Sequence, residues 1–337
     1  MVPHVEFAVQ EVSQIGAARR HAATLTQQLG FDEVAAGRVA IIVTELGSNL
    51  VRHARDGRLL LNATRDDGHD FVEMVSLDRG PGIADTERCL RDGYSTGGTP
   101  GSGLGGVRRL SGEFDIFSKP DVGTIVLSRV TASAPAGPPP VAATVLDLAG
   151  ICVAAPAETI SGDSWAANCA RNPRGALMVA DGLGHGPEAA HAADGAVAVF
   201  MRHPGLAPAD LLGKAHDALR GTRGAAVAVI AFDAAENRVA ICGAGNIVGR
   251  LISGTEDRSL MTQHGTVGLQ IRHAKPMLYD WGEHAVLVVH SDGVAARWNL
   301  QDVPRLLHCS AAVIAAWILH LHSRGRDDAT VVVLRRR

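Results

Sequence analysis

Four acidic residues in the second half of the chain stand where predicted strands begin or end. They are Asp163, Asp181, Asp292 and Asp327. A lone Asp-Gly pair is an ordinary turn, but four carboxylates at one edge of a core repel one another unless cations lie between them. Oxygen-only ligands suit Mg²⁺ or Mn²⁺, and two such ions can activate a water against a phosphoester. The four residues therefore predict metal-assisted phosphoester hydrolysis.

The first half of the chain pairs a carboxylate with a carboxamide. Glu45 and Asn49 stand four residues apart in a predicted helix over 32–54, so they share one helix face. Such a pair could supply a general base and an oxygen ligand for Mg²⁺. An exposed polar stripe is the alternative reading of the same spacing.

An aspartate followed by two spaced glycines comes next. Asp78 ends a predicted strand, and Gly80 and Gly82 follow it. The glycines allow a tight turn and a close approach to a ligand, while the carboxylate could accept a hydrogen bond from an exocyclic amine. Without further context, this segment could equally be an ordinary turn.

Residues 92–107 are the most glycine-rich part of the chain. We expect a mobile lid whose backbone N–H groups wrap phosphates and lead into a helix N-terminus, where the helix dipole favours anions. Residues 101–106 match GxGxxG, but they do not follow the first strand of a βαβ unit, as a dinucleotide fingerprint should.

The hydrophobic periodicity predicts two different folds. Strands are expected at 58–63, 71–77, 113–118, 124–130, 144–154, 176–180, 225–232, 238–242, 285–290 and 329–334, and further helices at 187–202, 208–219 and 303–322. The first half reads as an α/β sandwich, and the strand-rich second half as sheet packed on sheet, flanked by helices.

A Pro- and Ala-rich stretch separates the halves. Proline fixes φ and removes backbone donors, so this stretch should form an extended linker. The predicted organisation is a first domain at 1–131, a linker at 132–141 and a second domain at 142–337.

Composition narrows the class of protein. The 337 residues carry a net charge of −3, which gives no reason to expect nucleic-acid binding. No apolar run was found that reaches the roughly 18 residues of a membrane span, the best being 311–321, and the start lacks a secretion signal. The five scattered cysteines and fifteen histidines show no zinc spacing. We expect a cytoplasmic protein.

In order along the chain, the first-half clusters resemble the GHKL (Bergerat) ATP-binding fold, in its RsbT-like serine/threonine-kinase anti-sigma-factor branch. The resemblance covers residues 6–130. It implies ATP and Mg²⁺ as cofactors, with Asn49 on Mg²⁺, Glu45 preparing the attacking hydroxyl, and Asp78 and Thr124 at the adenine. The implied nucleotide contacts are Asn49, Asp78, Gly80, Gly82, Thr96, Gly101, Gly103, Leu104, Gly105, Gly106 and Thr124.

The second-half acidic motifs resemble the metal-dependent PPM protein phosphatases, in their SpoIIE-like and RsbX-type branch, over residues 144–335. The resemblance implies two Mn²⁺ or Mg²⁺ ions. Asp163 and Asp181 would be primary ligands, the Gly182 carbonyl would contribute, and Asp292 and Asp327 would complete the second ion's shell. Many relatives have Asp-Asn at the last position, so we assign the metal to Asp327 and a supporting role to Asp328.

Together the resemblances predict a bifunctional partner-switching regulator, with a Ser/Thr kinase domain fused to a phosphoserine/phosphothreonine phosphatase. The implied partners are STAS-domain antagonists, phosphorylated and unphosphorylated, and a sigma-factor regulatory kinase or phosphatase. No nucleic-acid or membrane partner is expected. In the alternative, the first domain is a nucleotide-dependent docking module and only the phosphatase is catalytic. We also hypothesise that the two activities are reciprocally gated.

Overall fold

We analysed a computed structural model of the chain. It describes residues 3–64, 70–90, 103–132, 146–168, 173–272 and 275–336. The chain divides into two compact units, with the boundary between residues 142 and 143. Most of the predicted linker, including all its prolines, lies outside the described residues.

The N-terminal unit is a two-layer α/β sandwich. Its described elements are β1 (Val5–Ala8), α1 (Val12–Gln28), α2 (Glu33–His53), β2 (Arg58–Thr64), β3 (Phe71–Asp78), α3 (Thr86–Cys89), α4 (Gly103–Leu110), β4 (Glu113–Lys119) and β5 (Gly123–Thr131). The strands form one antiparallel sheet in the order β1-β2-β3-β5-β4. The predicted strands of this half are present, whereas β1 and α1 were not predicted.

The long helix α2 forms where the sequence provides both a cap and an apolar stripe. Asp32 accepts a hydrogen bond from the Ala35 backbone N–H (2.6 Å), an N-cap that contributes about 1 kcal/mol. The apolar stripe, which includes Val39, Ile42 and Leu46, is buried with residues of α1 and the sheet. By length and composition alone α2 could cross a membrane. The expectation that no apolar stretch reaches the length of a membrane span was therefore wrong for α2, whose apolar stripe is buried in the core of the N-terminal unit.

The C-terminal unit is richer in strands. Its described elements are β6 (Leu146–Val153), β7 (Asp163–Ala167), β8 (Arg174–Gly182), α5 (Pro187–Arg202), α6 (Pro208–Ala218), β9 (Ala225–Asp233), β10 (Arg238–Ala244), β11 (Val248–Ile252), β12 (Asp257–Leu260), β13 (Gly265–Thr266), β14 (Gln270–Ile271), β15 (Met277–Asp280), β16 (Val286–His290), α7 (Ala311–His322) and β17 (Ala329–Arg336).

Two five-stranded antiparallel sheets make up its centre, in the orders β15-β10-β9-β8-β7 and β12-β11-β16-β17-β6. Their facing side chains form one core that includes Trp165, Ile230, Trp281 and Val289. Helices α5 and α6 cover the other face of the first sheet, and α7 packs on β6 and β17. The sheet-on-sheet core flanked by helices matches the predicted fold class.

The helix predicted over 303–322 was wrong over residues 303–310. Residues Pro304–His308 form a 3₁₀ turn, and α7 begins only after Ser310, whose hydroxyl accepts from the Val313 N–H (3.4 Å). The serine cap starts a new helix, because its side chain satisfies a backbone donor that a continuous helix would already have paired.

Candidate active sites

The N-terminal candidate site is built on the second half of α2. Glu45 and Asn49 lie one helical turn apart on it, and both are half-buried. The last turn of α2 reaches the loop after β3, because the His53 carbonyl lies within 2.8 Å of where a Gly80 Cβ would stand. The charge of His53 also acts on the Asp78 carboxylate. The structure therefore places the end of α2 beside the Asp78 loop.

Asp78 is held at the end of β3, opposite Thr124 on β5. Its Oδ1 accepts a hydrogen bond from the Gly80 N–H (2.6 Å). Burial raises the pKa of Asp78, and the N–H groups of Gly80 and Thr124 offset part of that rise. The Thr124 hydroxyl lies 2.9 Å from the Ser118 hydroxyl, so Asp78 and Thr124 sit in one polar corner of the sheet.

The glycines after Asp78 approach the protein itself closely. A side chain at Gly80 would meet the Asp78 carboxylate and the His53 carbonyl, and one at Gly82, whose φ is +70°, would overlap the Lys119 carbonyl. Their absent side chains let the loop pack between the end of α2 and the β4–β5 turn. Contact with a nucleotide stays a prediction for both.

The glycine-rich lid lies mostly outside the described residues, and so do Thr96 and Gly101. Residues 103–106 were predicted as flexible, which was wrong: they form the first turn of α4. Gly105 and Gly106 are buried, and Leu104 packs against the core of the N-terminal unit. Because α4 contacts α2, small residues at its start allow the two helices to pack closely.

The C-terminal candidate site begins with two adjacent carboxylates. Asp163 on β7 pairs in register with Asp181 on β8. Asp163 is 5% exposed; its Oδ2 accepts a hydrogen bond from the Ser291 hydroxyl (2.6 Å), and Oδ1 is buried without a hydrogen-bond partner among the described residues. A buried, half-satisfied carboxylate is costly unless a positive group completes it.

The other two predicted ligands lie close enough to act on this pair. Burial raises the pKa of Asp181 to about 9, and the charges of Asp163, Asp292, Asp327 and Asp328 add to the rise. Burial likewise raises the pKa of Asp163 to about 7, with Asp328 and Asp292 contributing. The structure thus gathers all four predicted carboxylates at one end of the sandwich, around Asp181.

The consecutive residues Asp327 and Asp328 have different environments. Asp328 is 4% exposed and its Oδ1 accepts from the Ala155 N–H (2.8 Å), so this carboxylate anchors the segment after β6. Asp327 is half-buried, and its Oδ1 accepts from the Asp328 N–H (3.0 Å). Asp328 Oδ2, like Asp163 Oδ1, is buried without a hydrogen-bond partner among the described residues, so the metal-ligand role of Asp327 and the supporting role of Asp328 both remain predictions.

Gly182 has no room for a side chain, because a Cβ there would overlap the Ala189 backbone of α5. Its N–H donates to the Gly162 carbonyl (3.0 Å), which ties the end of β8 to the residue before Asp163. Nearby His185 contacts the Glu158 carboxylate (2.8 Å) at the surface, an arrangement that positions a loop.

Two further residues support the carboxylates and were not predicted. The Ser291 hydroxyl also accepts from the Thr330 N–H (3.0 Å), which links β16, β17 and Asp163. Asn246 donates from Nδ2 to Asp292 Oδ2 (2.7 Å). Ser291 could have been suspected from its place beside Asp292, whereas Asn246 is 46 residues from its partner and gives no sequence signal.

The donors suit hard divalent cations. In the described part of the chain, no three acidic, histidine or cysteine side chains already form a closed metal cage. Mg²⁺ and Mn²⁺ retain several waters, so they need few protein oxygens. The unpaired Asp163 oxygen and the raised pKa values of Asp163 and Asp181 indicate missing positive charge, so these residues fit such ions.

Comparison with known proteins agrees with both halves. Residues 8–129 match the histidine kinase-like ATPase domain family, and residues 172–337 match the Stage II sporulation protein E (SpoIIE) family. The serine/threonine-protein kinase RsbT of Bacillus subtilis (strain 168) is 36% identical over 110 residues, 33% of this chain and 83% of RsbT. The chain belongs to the RsbT-like kinase family and carries a SpoIIE-type phosphatase domain. Both halves therefore belong to enzyme families, and the resemblances seen in the sequence are confirmed.

Two solved structures agree with the fold. One is a structure from the bacterial stressosome, described as a modular system that has been adapted to control secondary messenger signaling. Its sequence is 26% identical to this chain and the TM-score is 0.53. The match covers 56% of this chain and 99% of the stressosome chain. The other is RsbX in complex with magnesium, which is 17% identical to this chain with a TM-score of 0.51. The match covers 57% of this chain and 96% of the RsbX chain. The RsbX similarity shows the fold alone.

Proposed function

We propose that this RsbT–SpoIIE-type fusion is a bifunctional partner-switching regulator. Its N-terminal domain transfers phosphate from ATP to a serine or threonine of a partner protein. Its C-terminal domain removes phosphate from phosphoserine or phosphothreonine, using two Mn²⁺ or Mg²⁺ ions. The domain limits are taken as 1–131 and 142–337.

The observation that carries the phosphatase role is the cluster of Asp163, Asp181, Asp292 and Asp327 with its unpaired buried oxygen. When bound there, two divalent cations supply Lewis acidity to a water and to phosphate oxygens. Asp163 and Asp181 would be the primary ligands, together with the Gly182 carbonyl, and Asp292 and Asp327 would complete the shell of the second ion.

The supporting residues fix the orientation of these carboxylates. Ser291 holds one oxygen of Asp163 and leaves the other oxygen for a cation. Asn246 does the same for Asp292, because it donates to only one of its two oxygens. Such orientation lowers the cost of assembling ligands around an ion.

For the kinase role, each N-terminal group has a task that its position allows. Asn49 would hold Mg²⁺, Glu45 would take the proton of the attacking hydroxyl, and Asp78 would accept from the adenine amine. Thr124 supports Asp78 through its N–H. Phosphoryl transfer depends mainly on positioning and charge neutralisation, so this set is chemically sufficient.

The partners we propose are STAS-domain antagonist proteins, together with the regulatory kinase or phosphatase of a sigma factor. Support comes from the 36% identity to RsbT and the structural similarity to a stressosome-related chain. The two opposed activities suit a switch that sets the phosphorylation state of one partner.

The test is a labelling and chase experiment. The full chain is mixed with ATP labelled at the γ-phosphate and a co-encoded STAS protein, and Mn²⁺ is then added in excess. We expect label on the STAS protein that later disappears as free phosphate. The Glu45→Ala variant should give no label but should still clear label placed by wild-type protein. Label that never forms with wild-type protein would contradict the kinase role and favour the docking alternative. Label that persists after Mn²⁺ would contradict the phosphatase role.

A further inference from the structure

The loop between α7 and β17 carries an arginine beside the carboxylate cluster. The Arg324 backbone N–H donates to the Gly293 carbonyl (2.8 Å), and the Ala295 N–H donates to the His322 carbonyl (2.8 Å). Val294 and Ser323 form an isolated β-bridge between these bonds. The backbone of Arg324 is therefore fixed next to Asp292, a predicted metal ligand.

The positive charge of Arg324 acts on the carboxylate cluster and is not neutralised by an ion pair with a described neighbour. Arg324 lies close enough to Asp292 for its charge to act on that carboxylate. Arg324 is exposed, and its guanidinium forms no ion pair with any carboxylate in the described ranges. In contrast, Arg223, near Gly184 on the same rim, is paired with Glu188 at 2.7 Å.

Charge arithmetic shows why a phosphatase site needs such a group. Four aspartates carry four negative charges, and two divalent cations carry four positive ones, so the loaded cluster is neutral. Asp328 adds a further negative charge nearby. A phosphoester dianion approaching this cluster gains little net attraction unless another cation contributes.

We propose that Arg324 binds the phosphoryl oxygens of the substrate at the carboxylate cluster. This inference rests on the phosphatase function proposed above. A guanidinium presents paired N–H donors in a planar fork that matches two phosphate oxygens, and it stays charged at any working pH. Arg324 is thus a substrate-binding residue, and it holds no metal.

The test compares Arg324→Gln with Arg326→Gln, a second exposed arginine two residues further along the same loop. The full chain, loaded with Mn²⁺, is assayed on p-nitrophenyl phosphate with inorganic phosphate as a competitive inhibitor. We expect Arg324→Gln to raise the KM for the ester and the Ki for phosphate about tenfold. Arg324→Lys should recover part of the loss, and Arg326→Gln should stay within about twofold of wild type.

The affinity for Mn²⁺ separates substrate binding from structural damage. Removing a positive charge beside Asp292 should leave Mn²⁺ affinity unchanged or increase it, whereas a disturbed loop would weaken it. Unchanged KM and Ki in Arg324→Gln would overturn the inference, and so would a loss of Mn²⁺ affinity that parallels the loss of phosphate binding. If wild-type protein shows no Mn²⁺-dependent hydrolysis of either this ester or a phosphorylated STAS protein, the proposed phosphatase function fails as well.

Discussion

Each unit buries carboxylates, and the two units neutralise them differently. In the N-terminal unit Glu73 is 5% exposed, and its oxygens contact Arg129 (2.6 Å) and His4 (2.8 Å). Burial alone would raise the pKa of Glu73, but Arg129 and His4 outweigh it and hold it at about 2. In the C-terminal unit burial raises the pKa of Asp163 to about 7 and of Asp181 to about 9.

The difference lies in where the positive charge comes from. Glu73 has a cation from its own chain, so it is a structural group that needs nothing from solution. Among the described residues, the groups that act on Asp163 and Asp181 are other carboxylates and the hydroxyls of Ser291 and Thr330, so these two carboxylates lack a cation of the chain's own. We therefore interpret the raised pKa values of these two strand-end carboxylates, together with the unpaired Asp163 oxygen, as the sign of a cation site.

The largest effect should come from removing a ligand in the C-terminal unit. Asp292→Ala should lower the rate of dephosphorylation roughly a thousandfold, because the second ion loses its carboxylate. ATP affinity should not change. The matched control is Asp302→Asn, at an exposed position, which should keep the wild-type rate. Full activity in Asp292→Ala would show that this carboxylate holds no catalytic ion.

The next largest effect concerns Glu73, the buried carboxylate that is neutralised by residues of its own unit. Glu73→Gln should destabilise the protein at pH 7 by about 3 kcal/mol, because it leaves the Arg129 charge buried with less compensation. Among the carboxylates of the described residues, Arg129 would then keep its contact with Glu113 alone (2.9 Å). Denaturant unfolding measures the change. An unchanged free energy of unfolding in Glu73→Gln would contradict the proposed difference in how the two units neutralise their buried carboxylates.

A smaller effect is expected at the nucleotide site. Asp78→Asn should weaken ATP binding about tenfold to a hundredfold, since a charged hydrogen-bond acceptor is lost. The phosphatase rate should be unaffected. Fluorescence titration with an ATP analogue gives the affinity, and Asp121→Asn in the β4–β5 turn is the control. Equal ATP affinity in the Asp78 and Asp121 variants would mean that Asp78 does not read the base.

The smallest effect is the pH dependence of the metal-free protein. Folded Asp163 and Asp181 keep their protons to about pH 7 and 9, whereas an unfolded aspartate loses its proton near 3.8. The folded state therefore binds more protons between pH 4 and 9, and its stability falls as pH rises through that window. In EDTA we expect the Tm to drop by roughly 5 °C between pH 6 and 9.

Two changes should reduce that drop. Mn²⁺ should restore the Tm at pH 9, because it binds the folded carboxylates and not the unfolded chain. Asp181→Asn should raise the metal-free Tm at pH 9, opposite in sign to the effect of Glu73→Gln. A metal-free Tm that is flat in pH would contradict the raised pKa values.

The sequence predicted well those features that depend on local pattern. The apolar stripe of α2 and the Asp-Gly turns at strand ends required only spacing and residue type. Helix α1 was not predicted, because its buried residues include the small Ala18 and Ala22, which give only a weak hydrophobic periodicity. The start of α4 was misjudged because glycine-rich sequence disfavours helices, and only packing against α2 explains it.

Contacts between distant parts of the chain could not be predicted. The Ser291 hydroxyl meets Asp163 across 128 residues, and the Glu73–Arg129 pair depends on strand register. Likewise, the hydrogen bond from the Ala155 N–H to Asp328 joins residues 173 positions apart. Such pairings appear only once distant segments of the chain are assembled in the folded units.

Direct binding of Mn²⁺ tests the central claim, that the carboxylates of the C-terminal unit depend on cations from solution. Titration calorimetry at pH 7.5 should show uptake of about two ions per chain, with proton release from Asp181. The Asp181→Asn variant should lose most of this uptake, and Glu73→Gln should retain it. No uptake by the wild-type protein, or equal uptake by the Asp181 variant, would contradict the account.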